Sequence, residues 1–138
     1  MKSHLLAFVT AIALAGCGGA KPPTYKFLGN STAPAAEGSV VVTTEPNGNT
    51  KLTIVARHLA PPERMAPDAK VYVVWVAPEG GQGIPQNVGA LKLDANYAGH
   101  LTTVTPLRDF TLTIGVEADQ AVQAPTNMPV VSTSIRRN

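Results

Sequence analysis

Lys70-Val71-Tyr72-Val73-Val74-Trp75-Val76-Ala77 is the stretch that decides the fold class. From Val71 to Ala77 the residues are apolar or aromatic at every position. A strand with this composition has no side to offer water and reads as a central strand covered on both faces. Tyr72 and Trp75, three residues apart, then point to opposite faces, and both are read as core rather than as an aromatic platform for carbohydrate.

Outward from this stretch the same kind of signal repeats. Asp109-Phe110-Thr111-Leu112-Thr113-Ile114-Gly115-Val116-Glu117 alternates, with Phe110, Leu112, Ile114 and Val116 on one side and threonines on the other, which predicts a half-buried strand. A last strand is expected over Pro129–Ile135, after an Ala124-Pro125-Thr126-Asn127 loop. Upstream, Val40–Thr44 and Lys51–Arg57 flank Glu45-Pro46-Asn47-Gly48-Asn49, where Asn47-Gly48 suits the positive φ angles of a tight hairpin. Val88–Leu93 and Gly99–Val104, joined by Asp94–Ala98, read as a second hairpin. From Gly38 to the end no dozen-residue window carries the spacing of an amphipathic helix. Seven short strands between Gly- and Pro-bearing turns predict an all-β protein, an antiparallel Greek-key sandwich of immunoglobulin-like type.

The chain begins differently. Lys2 precedes an apolar run, Leu5 to Ala15, that is short of the about 20 residues a bilayer requires and has the form of a signal peptide. The run ends in Leu14-Ala15-Gly16-Cys17, which resembles the bacterial lipobox, so residues 1–16 are expected to be removed and Cys17 to carry the lipid. Cys17 is the single cysteine and has no intramolecular disulfide partner. Acyl chains contribute about 0.8 kcal/mol per buried methylene, so two or three of them fix a protein to a membrane almost irreversibly. Gly18 after the cysteine resembles lipoproteins sent to an outer membrane, facing the periplasm. Residues 17–37, rich in Gly, Pro, Ala and Ser, read as a flexible tether on which Tyr25, Phe27 and Leu28 dock at most locally. The folded domain is expected over residues 38–138.

Of eleven Lys and Arg only Lys2 lies in the leader, which leaves ten basic against nine acidic residues after processing. That near balance gives no basic footprint for nucleic acid. His58 and His100 read as histidines at a strand end and a turn. Met65 and Met128 stand apart from them in sequence, and a cupredoxin-type copper site needs a thiolate, for which only Cys17 is present. Gly80-Gly81-Gln82-Gly83 lacks the Lys-Ser/Thr ending of a phosphate loop, and no Gly-x-Ser-x-Gly occurs. Asp94, Asp109, Glu117 and Asp119 fall at strand ends or turns, where carboxylates are ordinarily solvated. The expectation is a protein that is not an enzyme, without cofactor or metal. It would be anchored to a membrane through Cys17 and contact an envelope protein through loops 60–69 and 78–87, with Arg64, Gln82 and Gln86 exposed. The alternative is a periplasmic protein binding a small ligand or a metal.

The C-terminal two-thirds resembles the extracytoplasmic domain of anti-sigma-K factors. The residues that carry the likeness are Tyr72-Val73-Val74-Trp75-Val76, Gly80 to Pro85, Asn87-Val88-Gly89-Ala90-Leu91, Phe110–Glu117, and Pro125 through Pro129-Val130-Val131. In that family a Tyr-x-x-Trp strand, a glycine loop, a Leu/Val-Gly strand and a Val-x-x-Glu stretch ending in a Pro-rich loop recur in this order. The cytosolic sigma-binding domain and transmembrane helix that precede the module there are replaced here by a lipobox and a tether. The resemblance therefore implies a periplasm-facing β module, and sigma inhibition does not come with it.

Overall fold

The computed structural model describes residues 16, 18–80 and 82–137, so the signal-peptide segment and Cys17 lie outside the described residues. Among the described residues the structure is all-β, with nine strands in two antiparallel sheets. The first sheet runs β1 (Thr24–Leu28), β2 (Glu37–Thr44), β3 (Thr50–Arg57), β7 (Gly99–Thr105), β6 (Lys92–Leu93). The second runs β5 (Gln86–Ala90), β4 (Val71–Pro78), β8 (Asp109–Glu117), β9 (Val131–Arg136). One helical turn, α1 (Pro62–Met65), interrupts the crossing from β3 to β4. Among the described residues no helix is long and apolar enough to cross a membrane.

Period-two alternation builds the space between the sheets. On the first sheet Val40 pairs with Ile54 and Val42 with Leu52; on the second Val74 pairs with Ile114, Val76 with Leu112 and Phe110 with Ile135. All of these side chains are buried in one cluster. At the standard allowance of roughly 25 cal/mol per Å² of apolar surface, each large aliphatic side chain contributes about 1.5–3 kcal/mol.

Three features depart from the sequence reading. First, the folded unit begins at Thr24, inside the segment expected to be a tether. Tyr25 and Phe27 alternate over too few residues to be told from a loop, and only pairing with β2 makes them a strand. Phe27 stacks over Gly38 so closely that a Cβ there would lie 2.4 Å from the ring. Second, Val88–Leu93 is not one arm of a hairpin. Residues 86–90 pair with β4, and only Lys92–Leu93 turns back through Asp94–Ala98 to pair with β7. The chain changes sheet at Leu91, which is buried and whose N–H donates to the Tyr72 carbonyl (2.8 Å). Third, the last strand begins at Val131, and β8 is not half-buried: Gly115 and Glu117, on the side opposite Phe110 and Leu112, are also inaccessible.

The edges of the two sheets are tied where β1 meets β9. Gly29 forms an isolated bridge with Val131, Asn30 donates through its backbone to the Val130 carbonyl (2.9 Å) and through Nδ2 to the Pro129 carbonyl (2.7 Å), and the Tyr25 hydroxyl donates to the Arg136 carbonyl. These contacts occupy edge groups that would otherwise invite another strand.

Tyr72 fixes the β3–β4 crossing to the core. It is buried, and its hydroxyl donates to the Ala60 carbonyl (2.7 Å). Loss of hydration, reinforced by the negative charge of Glu63, pushes its pKa up to about 12. The neutral phenol is favoured in the folded state, so its contribution to stability is complete below the unfolded value near 10 and fades as pH rises from there towards the folded value. Tyr72→Phe is expected to destabilise the fold by about 1 kcal/mol at neutral pH. Urea titrations should show the parent losing stability above pH 10 and Tyr72→Phe losing less.

Candidate functional site

β4 brings side chains to both faces of its sheet. Tyr72, Val74 and Val76 enter the space between the sheets, whereas Val73 and Trp75, equally buried, project from the opposite face. That face is crossed by the 118–130 connection between β8 and β9. Asn87, the cross-strand partner of Trp75, donates through Nδ2 to the carbonyls of Gln120 (2.8 Å) and Val122 (2.9 Å). Pro129 and Met128 pass over Gly115, within 4 Å of where a Cβ would stand.

The strap is fastened to β8 near its C-terminal end. Glu117, fully buried, accepts from the Thr126 backbone N–H (3.0 Å) and from the Thr126 hydroxyl. Asn127 Nδ2 donates to the Val116 carbonyl (2.8 Å). Sequence reading placed Glu117 among solvated carboxylates; it is instead the anchor of this strap. Its position at the end of an alternating strand carried no signal, because the partner that satisfies it lies nine residues on in a loop. The Trp75 indole N–H is buried without a hydrogen-bond partner among the described residues, a cost of about 1–3 kcal/mol that the surrounding burial has to offset.

Between the strap and the start of β5 lies an open groove of about 1050 Å³, whose lining includes Ile84, Gln86, Asn87, Gln120 and Gln123. Its described lining is neutral and rich in amides. Much of that amide capacity is already used: Asn87 Oδ1 accepts from the Gly89 N–H (2.9 Å), and Gln123 Nε2 donates to the Ala121 carbonyl (2.9 Å). A smaller hollow of about 330 Å³ sits on the outer face of the first sheet beside Lys26, Glu37, Ser39 and Arg57.

Gln82 and Gln86 are exposed in and beside the β4–β5 connection. Arg64, also exposed, lies on α1 at the other end of β4. The strand between them spans eight residues, about 26 Å at 3.3 Å per residue, so the three do not form one surface. His58 adopts a left-handed backbone (φ 56°) and faces Glu37 across 3.5 Å on the exposed side. His100 is exposed on β7, opposite Val55 and Lys92. Met65 packs half-buried against the core, and Met128 is exposed. Among the described residues no three His, Cys, Asp or Glu side chains converge as a metal site would require. Asp94 caps its own turn: backbone bonds from Ala98 and Asn96, with a smaller contribution from His100, hold its carboxyl below the usual range. No protein-family model, curated protein or solved structure matches the chain.

Thr126→Val should leave a buried Glu117 oxygen short of a donor and cost about 1–3 kcal/mol. The double substitution with Glu117→Gln should cost less than the two single changes summed, because they share one contact. Hydrogen exchange over residues 118–129 should rise in each single variant while β2 and β3 keep their protection. Additive losses with an unchanged strap would show that the Glu117–Thr126 contact does not hold it.

Proposed function

We propose that this chain is a lipid-anchored protein of the bacterial cell envelope, probed best at its first mature residue, whose sandwich serves as a non-catalytic interaction or structural module. The observation that carries the reading is the apolar leader running into Leu14-Ala15-Gly16-Cys17. In this reading Cys17 receives the acyl chains, Gly18 directs the product to the outer membrane, and the domain faces the periplasm.

The order β2-β3-β7-β6 opposite β9-β8-β4-β5 supports an immunoglobulin-like Greek key, in which these strands would take the places A-B-E-D and G-F-C-C′ with β1 added beside the first. The resemblance to the extracytoplasmic domain of anti-sigma-K factors supports the same reading, since the Tyr-x-x-Trp strand, the Gly loop, the Glu at the end of β8 and the Pro-bearing strap are the parts that build the covered second face. Partner contact through Arg64 on the one hand and Gln82 with Gln86 on the other then involves two separate ends. The amide-lined groove favours a second reading, a small neutral ligand held by hydrogen bonds.

Labelled palmitate fed to the expressing bacterium tests the anchor. The parent should incorporate the label and sediment with membranes, globomycin should cause the unprocessed form to accumulate, and Cys17→Ser should abolish both labelling and processing. A mature protein free of label and beginning elsewhere would overturn the proposal.

A further inference from the structure

The folded domain starts much closer to Cys17 than the composition of residues 17–37 suggests. Thr24, the first residue of β1, is seven positions after Cys17, and seven fully extended residues reach no more than about 25 Å. Pro23 is already docked, its carbonyl accepting from the Val42 N–H (3.0 Å), which shortens the free segment further. The end of the sandwich where β1 begins must therefore stand next to whatever holds Cys17.

That end is identifiable. The pairings Thr24 with Val41, Thr44 with Thr50 and Thr50 with Thr105 place there the Glu45–Asn49 turn and the β7–β8 loop. Asp109 with Arg136 and Pro78 with Phe110 add the C-terminus and the β4–β5 connection. Its basic residues are Lys21, Lys51, Arg108, Arg136 and Arg137. Its acidic residues are Glu45, Glu79 and Asp109. Glu45 lies 3.8 Å from Lys51, Glu79 pairs with Arg136, and Asp109 accepts from the Arg137 backbone N–H (2.9 Å). Lys21 and Arg108 have no acidic partner within ion-pair distance among the described residues. Ile84, in the β4–β5 connection at this same end, is 76% exposed. The loops of the far end carry the acids Glu63, Asp68, Asp94 and Asp119 against the bases Arg64 and Lys70, so the excess of basic residues lies at the end where β1 begins.

We infer that the end of the sandwich formed by the 45–49 turn, residues 79–80 and 82–85, the 106–108 loop and Arg136–Arg137 is a membrane-docking surface that rests on anionic phospholipid headgroups. Short reach brings this end to the bilayer, an excess of basic residues matches an anionic surface, and Ile84 adds an exposed apolar side chain for the interface. Arg64 and the α1 loop then point away from the membrane, while Gln82 and Gln86 are close to it. The inference rests on the lipid-anchor reading for its membrane.

Lysine footprinting tests it on the mature chain, residues 17–138. The Cys17 thiol is coupled to a maleimide phospholipid in vesicles of one part phosphatidylglycerol to two parts phosphatidylcholine, and reactivity towards a water-soluble acylating reagent is read by mass spectrometry. The reference is the same chain with Cys17 capped by N-ethylmaleimide and mixed with the same vesicles. Lys21 and Lys51 should lose reactivity by about threefold or more, and Lys70 and Lys92 at the far end should keep theirs. Pure phosphatidylcholine, or Arg108→Glu, should restore reactivity at Lys51. Protection of Lys70 or Lys92 instead, equal protection at both ends, or no protection at Lys51 would overturn the inference. Because the lipid is attached chemically, these outcomes are separate from whether cells acylate Cys17, which the palmitate experiment decides.

Discussion

A strand whose two faces are both apolar has to be covered twice, and the arrangement of the rest of this chain follows from that need. β4 presents Tyr72, Val74 and Val76 to one side and Val73 and Trp75 to the other, all buried. The first side is met by the opposing sheet in the ordinary manner of a two-layer β protein. Among the described residues no sheet or helix meets the second, and the irregular connection between β8 and β9 covers it instead. Such a segment contributes little cooperative hydrogen bonding of its own, so it is held by side chains: Asn87 grips two of its carbonyls, Glu117 grips Thr126, and Asn127 returns to β8.

The same requirement explains why the chain changes sheets where it does. β5 has to lie beside β4 to supply Asn87, yet β6 has to complete the first sheet beside β7, and only Leu91 separates them. Gly89 accommodates the transition with a φ of 132°, a conformation that a side chain rarely adopts, and an added Cβ would come within 3.1 Å of Leu101. The shift in register between Val74 and Trp75 at this point lets one extra residue enter β5. The covering of Trp75, the bulge and the sheet change are thus one structural unit rather than three separate irregularities.

Much of this was legible in the residues, and the exceptions have physical causes. The double apolar face of 71–77, the alternation of 110–116 and the Asn47-Gly48 hairpin announce themselves because each is determined by local chemistry. β1 did not, since five residues with two inward side chains acquire a strand's conformation only from the partner they pair with. The split of 88–93 was hidden because the residues on either side of Leu91 have similar composition and differ only in which sheet they join. Glu117 was misplaced for a related reason: a carboxyl at a strand end is ordinarily solvated, and its burial depends on a loop whose path local pattern does not encode. Of the residues nominated for contact, exposure of Arg64, Gln82 and Gln86 followed from their loops, but their separation to opposite ends required the topology.

β4, covered on both faces, is expected to be the last part of the molecule to open. Native-state hydrogen exchange at increasing urea measures this directly. The amides of Val73, Val74 and Trp75 should exchange only with global unfolding, with a free energy and urea dependence equal to those of the whole domain. Exchange of these amides through a smaller opening, while β2 and β3 stay protected, would contradict the account.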